Sequence, residues 1–200
     1  MKDTKSKAKQ KSYIEQIVQF YDNKLPSNQE ITVLQHTPQY LIRLGAKQLP
    51  VIIKQSTLNK CIRSPKGSRS AHSLSRKIIE SIPNEMESPI MVVKDKARDT
   101  LVLICHGIDQ SKNHLLIPLQ LNNTLYGNKV NEIKSIYGKT ALHEYLIKNE
   151  EKKQVYAIDI KKASMLSPSI GFQLPQPPTD ISFIDNIPPN SNTVKDESRK

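Results

Sequence analysis

Apolar residues recur at three- and four-residue spacing through Ile14, Ile17, Val18 and Tyr21, which predicts a short amphipathic helix docked on the rest of the chain. ITVLQ at 31–35 and PVIIK at 50–54 read as strands. Between them Thr37-Pro38 supplies an N-cap with a first-turn proline and Gly45 a stop, which predicts a two-turn helix. SPKGSRSAHS at 64–73 reads as a loop. Leu74, Ile78, Ile79 and Ile82 then follow helical spacing behind a serine N-cap, and Pro83 is expected to end that helix. PIMVVK, LVLICH and HLLIPLQL are three apolar runs separated by the turn-forming KARD and GIDQSKN, the signature of an antiparallel meander. VNEIKSIY is a fourth run, and QVYAIDI at 154–160 a fifth. A helix from about Ala141 to Asn149 separates those two, and a short one is expected from Lys161 to Leu166. The fold class that emerges is α+β, an antiparallel sheet meander with helices packed beside it.

Composition narrows this picture. With 200 residues, 36% of them hydrophobic, the chain supports one domain with a modest core. Residues 1–30 are expected to form a basic arm and a short helix, residues 31–175 the domain, and residues 176–200 a disordered Pro-rich tail. The net charge of +11 points to polyanionic partners. No acidic residue lies between Glu30 and Glu80, whereas Arg43, Lys54, Arg63, Arg69, Arg76 and Lys77 all fall in that interval, so positive charge is built into the ordered region. The plainer reading of the same run is a solvated basic face. The lysine-rich start is not followed by an apolar segment of the kind a cleaved leader carries, and no run approaches a membrane span. The expectation is cytoplasmic synthesis and no membrane partner.

Candidate chemistry is sparse. Cys61 and Cys105 lack metal or disulfide spacing, and Cys105 within LVLIC reads as a small buried apolar residue. No His or carboxylate pattern suggests a metal, and no phosphate loop suggests a nucleotide cofactor, so neither metal nor cofactor is expected. If VNEIKSIYGK is one strand, Asn131, Ser135 and Tyr137 share a face with Ile133, while Gly138 permits close approach and Lys139 adds charge. That face is either a wall for phosphate and sugar oxygens or an ordinary mixed sheet edge. Of the five histidines, His72 stands out: it enters a helix between Arg69 and Arg76, cations that would hold part of the imidazole neutral and suit it to act as a base. The alternative is a surface histidine with no chemical role.

Four stretches taken in order add a resemblance. They are ITVLQHTPQYLIRLGAKQLPVIIKQSTLNKCI, HSLSRKIIESIPNEMESPIMVV, VNEIKSIYGK and VYAIDIKKASMLSPSIGFQLP, spanning residues 31–175. Together they resemble the phage MuF C-terminal domain family, a toxin-type module of phage, prophage and other mobile-element polyproteins. The resemblance implies the fold shared by barnase, EndoU-type and related ribonuclease toxins, and metal-independent RNA cleavage through 2'-OH attack. It implies His72, Ser135, Tyr137 and Lys139 as catalytic residues, with Arg69, Arg76, Lys77 and Asn131 binding substrate. One departure is local: the family often has a Lys-His pair where this chain has Ala71-His72. The implied partners are RNA, transfer RNA included, and an acidic immunity protein, and the implied route is delivery by phage or a specialised secretion system. The alternative function is a non-catalytic nucleic-acid-binding or phage-associated interaction module with the same fold.

Overall fold

A computed structural model describes residues 11–63, 72–95, 99–147 and 153–166. The elements, in chain order, are α1 (Tyr13–Tyr21), β1 (Glu30–Leu34), α2 (Gln39–Arg43), β2 (Val51–Lys54), α3 (Gln55–Ile62), α4 (Arg76–Glu87), β3 (Met91–Asp95), β4 (Thr100–Ile108), β5 (His114–Leu125), β6 (Asn128–Ile133), β7 (Tyr137–Gly138), α5 (Leu142–Ile147), β8 (Lys153–Ala157) and α6 (Ile160–Leu166). The strands form one open sheet in the order β1-β2-β6-β5-β4-β3-β8, with β7 on β5. The class is α+β as expected. The sheet is mixed, however, because β2 runs parallel to β6 while every other pair is antiparallel. The antiparallel pair of β1 and β2, joined through α2, precedes the meander in sequence, and β2 docks on the β6 edge, a long-range pairing that local turn signals do not encode.

Alternation along the strands sends Ile31, Ile53, Leu103, Leu119 and Ile133 to one face, where they pack with Ile17 and Phe20 of α1, Leu41 of α2, Leu58 of α3, and Ile79, Ile82 and Met86 of α4. The other face is covered at the β3–β8 end, where Met91, Val93, Ile104 and Leu116 meet Leu146 of α5 and Ala163 of α6. Cys105 is fully buried in the first cluster, and burial pushes its thiol pKa well up. Glu132, 1% exposed, is ion-paired with Lys54 at 3.1 Å and Lys134 at 3.0 Å. Burial alone would raise its pKa, but those two ammonium groups hold it below the ordinary carboxylate value.

Several elements depart from expectation. α3 was not foreseen, since QSTLNKCI has only modest apolar periodicity; it follows β2 directly and buries Thr57, Leu58 and Cys61. α4 begins after the Ser75 cap, so Leu74 lies outside it, and it runs through Pro83 rather than ending there. A proline inside a helix deprives the carbonyl four residues earlier of its donor. That carbonyl belongs to Ile79, and the Tyr13 hydroxyl of α1 donates to it at 2.6 Å. Near the helix end, the Tyr40 hydroxyl donates to the Met86 carbonyl, one of the terminal groups left without an intrahelical partner.

Strand β1 is one edge of the sheet, and α1 closes it. The Gln16 side chain, almost fully buried, accepts from the Thr32 N–H at 3.1 Å and donates to the Thr32 carbonyl at 3.4 Å. A side-chain amide therefore occupies the hydrogen-bonding positions that a further strand would use.

The largest correction concerns VNEIKSIYGK. It is two short strands: Ile133 faces Leu119 of β5, whereas Tyr137 faces Leu116, so four residues on one side span three on the other. One residue is extra, and the strand bulges between Ile133 and Tyr137. Ile133 accordingly belongs to the first core cluster while Tyr137 packs against the second, and the single face expected for Asn131, Ile133, Ser135 and Tyr137 does not exist. Arg69, residues 167–175 and the tail from 176 to 200 lie outside the described residues.

Candidate functional site

The bulge turns the Ser135 side chain toward the segment that enters α4. That segment is anchored by main chain: His72 N–H donates to the Lys60 carbonyl at 3.3 Å, Ser73 N–H to Arg63 at 3.1 Å, and Leu74 N–H to Cys61 at 2.9 Å. Three bonds to the end of α3 fix where the His72 ring can sit. The Cys61 thiol in turn takes a backbone hydrogen bond from Ile136, inside the bulge; burial, opposed by that bond and by Lys60, pushes its pKa up to about 11. α3 thus ties together the two halves of the site.

His72 Nε2 lies 3.4 Å from Ser135 Oγ, across 63 residues of sequence, and the His72 and Tyr137 rings lie 5.4 Å apart at 32°. Burial lowers the His72 pKa from its ordinary 6.5 and raises that of Tyr137 from 10.0. Partial desolvation disfavours whichever form is charged, so near pH 7 the imidazole is neutral and the phenol protonated. The cluster holds a proton acceptor beside two hydroxyl donors. Among the described residues burial is the cause of the His72 shift, and Arg76, one of the two cations expected to act on it, is turned elsewhere. Its Nε donates to Glu80 at 2.7 Å and its guanidinium lies 5.2 Å from the centre of the Tyr21 ring.

The remaining expected residues are more dispersed. Lys139 places its ammonium 5.5 Å from the centre of the Tyr145 ring, and its N–H donates to the His114 carbonyl at 3.0 Å. Lys77 is exposed in the first turn of α4. Asn131 is 0% exposed. Its Nδ2 donates to Thr37 Oγ1 at 2.8 Å and to the Lys47 carbonyl at 3.1 Å, and its Oδ1 accepts from the Asn122 N–H at 2.9 Å. Its position fits holding the strand rather than touching a substrate: both ends of the amide have protein partners and it has no exposed surface.

Gly138 does allow a close approach, but the group that makes it is protein. The Asp109 carboxylate, from the β4–β5 turn, packs where a Gly138 Cβ would stand. Asp109 Oδ1 accepts from the Ser111 N–H at 2.8 Å and the Asn113 N–H at 2.9 Å, an ordinary turn role that gave no hint of a reach across to β7. Asp109 also lines a cleft of about 480 Å³ between α4 and this turn, and none of His72, Ser135 and Tyr137 lines it. Glu85 lines it, and accepts from the Gly107 N–H at 2.9 Å. Neither Asp109 nor Glu85 was foreseen, because each carries only local turn or helix signals in the sequence.

Among the described residues no helix is long and apolar enough to cross a membrane. A family model described as Phage MuF-C-terminal domain matches residues 63–165, a span that opens at the end of α3 and contains His72, Ser135, Tyr137 and the cleft. No curated protein and no solved structure matches the chain.

Proposed function

This chain belongs to the phage MuF C-terminal domain family, and from that premise we propose that it is a toxin-type, metal-independent endoribonuclease. The observation that carries the reading is the meeting of His72 Nε2 with Ser135 Oγ at 3.4 Å, beside the Tyr137 ring. Neutral His72 takes the proton of an RNA 2'-hydroxyl, and the freed oxygen attacks the adjacent phosphorus. The bond from phosphorus to the 5'-oxygen breaks, leaving a 2',3'-cyclic phosphate and a 5'-hydroxyl. Protonated Tyr137 supplies the proton that the departing oxygen needs, and Ser135 donates a hydrogen bond to the phosphate. Lys139 lies one residue beyond Gly138 and adds positive charge at that strand end. The net charge of +11 supports a polyanionic substrate and an acidic immunity protein as partners.

A second reading, a binding module without catalysis, has one observation in its favour: the Asp109 carboxylate occupies the approach to Gly138, where its charge opposes a phosphate. Incubating the protein with total RNA and a transfer-RNA pool in EDTA separates the two. Discrete products ending in cyclic phosphate are expected. Intact RNA retained in a salt-dependent way would instead select the binding module.

The pH profile follows from the two shifted groups. A general base with its pKa lowered from 6.5 stays unprotonated on the acid side of that value, and a donor with its pKa raised from 10.0 keeps its proton beyond it. In kcat/KM against pH, the acid limb is expected to fall below pH 6.5 and the alkaline limb above pH 10. An acid limb centred above 6.5 would remove His72 as the base.

A further inference from the structure

We propose, resting on the ribonuclease reading, that the tip of the β5–β6 hairpin is a second RNA contact remote from His72, where Tyr126 stacks on an unpaired base, so that the substrate is an RNA long enough to reach both places. Leu125 pairs with Asn128, which leaves Tyr126 and Gly127 as a two-residue turn, and both hold left-handed φ, 46° and 81°. This is the geometry that Asn-Gly fills without strain and that a bulky side chain at its first position does not. Tyr126 is also the most exposed large hydrophobic side chain among the described residues, at 73%. A tyrosine held in strained backbone with its ring in water adds nothing to the core, and its place is explained by what it meets outside the chain.

Positive charge flanks that ring. Lys129 Nζ donates to Thr124 Oγ1 at 2.6 Å across the hairpin, which leaves two of its N–H donors for a ligand. Exposed Lys47 sits at the hairpin's base, where its main-chain N–H donates to Asn122 Oδ1 at 3.2 Å. No acidic residue lies between Asp109 and Glu132 in sequence, and Glu132 is engaged by Lys54 and Lys134. Asp99 meets β5 at Gln120 and Leu121, below the irregularity that starts the hairpin.

An aromatic ring beside lysines is the chemistry of single-stranded nucleic acid, because every base has a face to stack and every phosphate a charge to neutralise. A convex tip with one ring buries too little surface for a stable protein interface, whereas one splayed base covers the ring by itself. From Leu116, which faces Tyr137, to Leu125 at the tip, β5 runs roughly 30 Å. A dinucleotide reaches only one of the two places, and a folded RNA such as transfer RNA reaches both.

The test is fluorescence anisotropy of the full chain with a labelled single-stranded 2'-O-methyl RNA of about 20 nucleotides, which has no 2'-hydroxyl to attack and is long enough for both places. Tyr126→Asn suits the turn and removes the ring. It is expected to weaken binding at least about fivefold while the melting temperature holds or rises, and Tyr126→Phe is expected to bind like the parent. In cleavage, Tyr126→Asn is expected to raise KM for a transfer-RNA pool and to leave kcat/KM for a dinucleotide unchanged. Unchanged affinity or a fall in melting temperature in Tyr126→Asn, a loss of affinity in Tyr126→Phe, or an equal loss of activity on the dinucleotide would overturn the assignment. Weaker binding by Tyr126→Asn in a protein that cuts no RNA would leave the hairpin assignment standing and remove only the ribonuclease reading.

Discussion

His72→Ala is expected to lower the rate of RNA cleavage by about 10²- to 10⁴-fold, the usual contribution of a positioned general base. The substitution removes the imidazole that meets both Ser135 and Tyr137, and with it the proton acceptor of the cluster. Stability changes little. The bond that fixes this segment runs from the His72 main-chain N–H to the Lys60 carbonyl, and alanine retains it. The ring is only half-buried, so a loss of about 1 kcal/mol is expected, a few degrees in melting temperature for a domain of this size. Cleavage of end-labelled RNA beside a thermal melt checks both parts. Full activity in a folded His72→Ala protein would sink the catalytic assignment, and a collapse of the melting temperature would show that His72 is chiefly a packing residue.

Asn131→Ala is expected to have the opposite signature, a large loss of stability with activity falling only as the folded fraction falls. The Asn131 amide serves the Asn122 N–H, Thr37 Oγ1 and the Lys47 carbonyl, in a place that solvent does not reach. Alanine strands the Asn122 N–H and leaves a void beside Thr37, whose hydroxyl keeps its bonds to the Lys47 and Leu49 carbonyls, at about 1–3 kcal/mol. The upper figure is a large share of a typical domain's stability and corresponds to roughly a 10 °C drop in melting temperature. Asn122 holds a left-handed φ of 52°, at the irregularity where β5 passes from Gln120 to Asn123. The Asn131 bond to the Asn122 N–H and the Lys47 N–H donated to Asn122 Oδ1 both hold that bulge. Chemical denaturation monitored by circular dichroism gives the free energy directly. A variant that melts like the parent yet loses activity would return Asn131 to substrate contact.

The two residues illustrate how unevenly the chain can be read. Asn131 and Ser135 lie four positions apart in one apolar-polar run, and alternation puts them on the same face. The bulge between Ile133 and Tyr137 breaks that relation, and pairing registers on β5, not local sequence, create the bulge. Pro83 is a similar case. Its local meaning is helix termination, yet α4 continues because Tyr13, 66 residues away, satisfies the Ile79 carbonyl.

Legible along the chain is whatever depends on sequence neighbours: the meander of β3, β4 and β5 with its polar turns, the apolar stripe of Ile78, Ile79 and Ile82 in α4, the positive charge concentrated between Glu30 and Glu80, and the motifs that carry the family. His72, Ser135 and Tyr137 were legible as candidates through those motifs. Only the folded chain brings β2 beside β6 in parallel, Gln16 onto the β1 edge, Arg76 over the Tyr21 ring and Asp109 into the space beside Gly138. Each is a hydrogen bond, a cation–ring contact or a steric contact between separate segments, and its energy exists only after the core has brought those segments together.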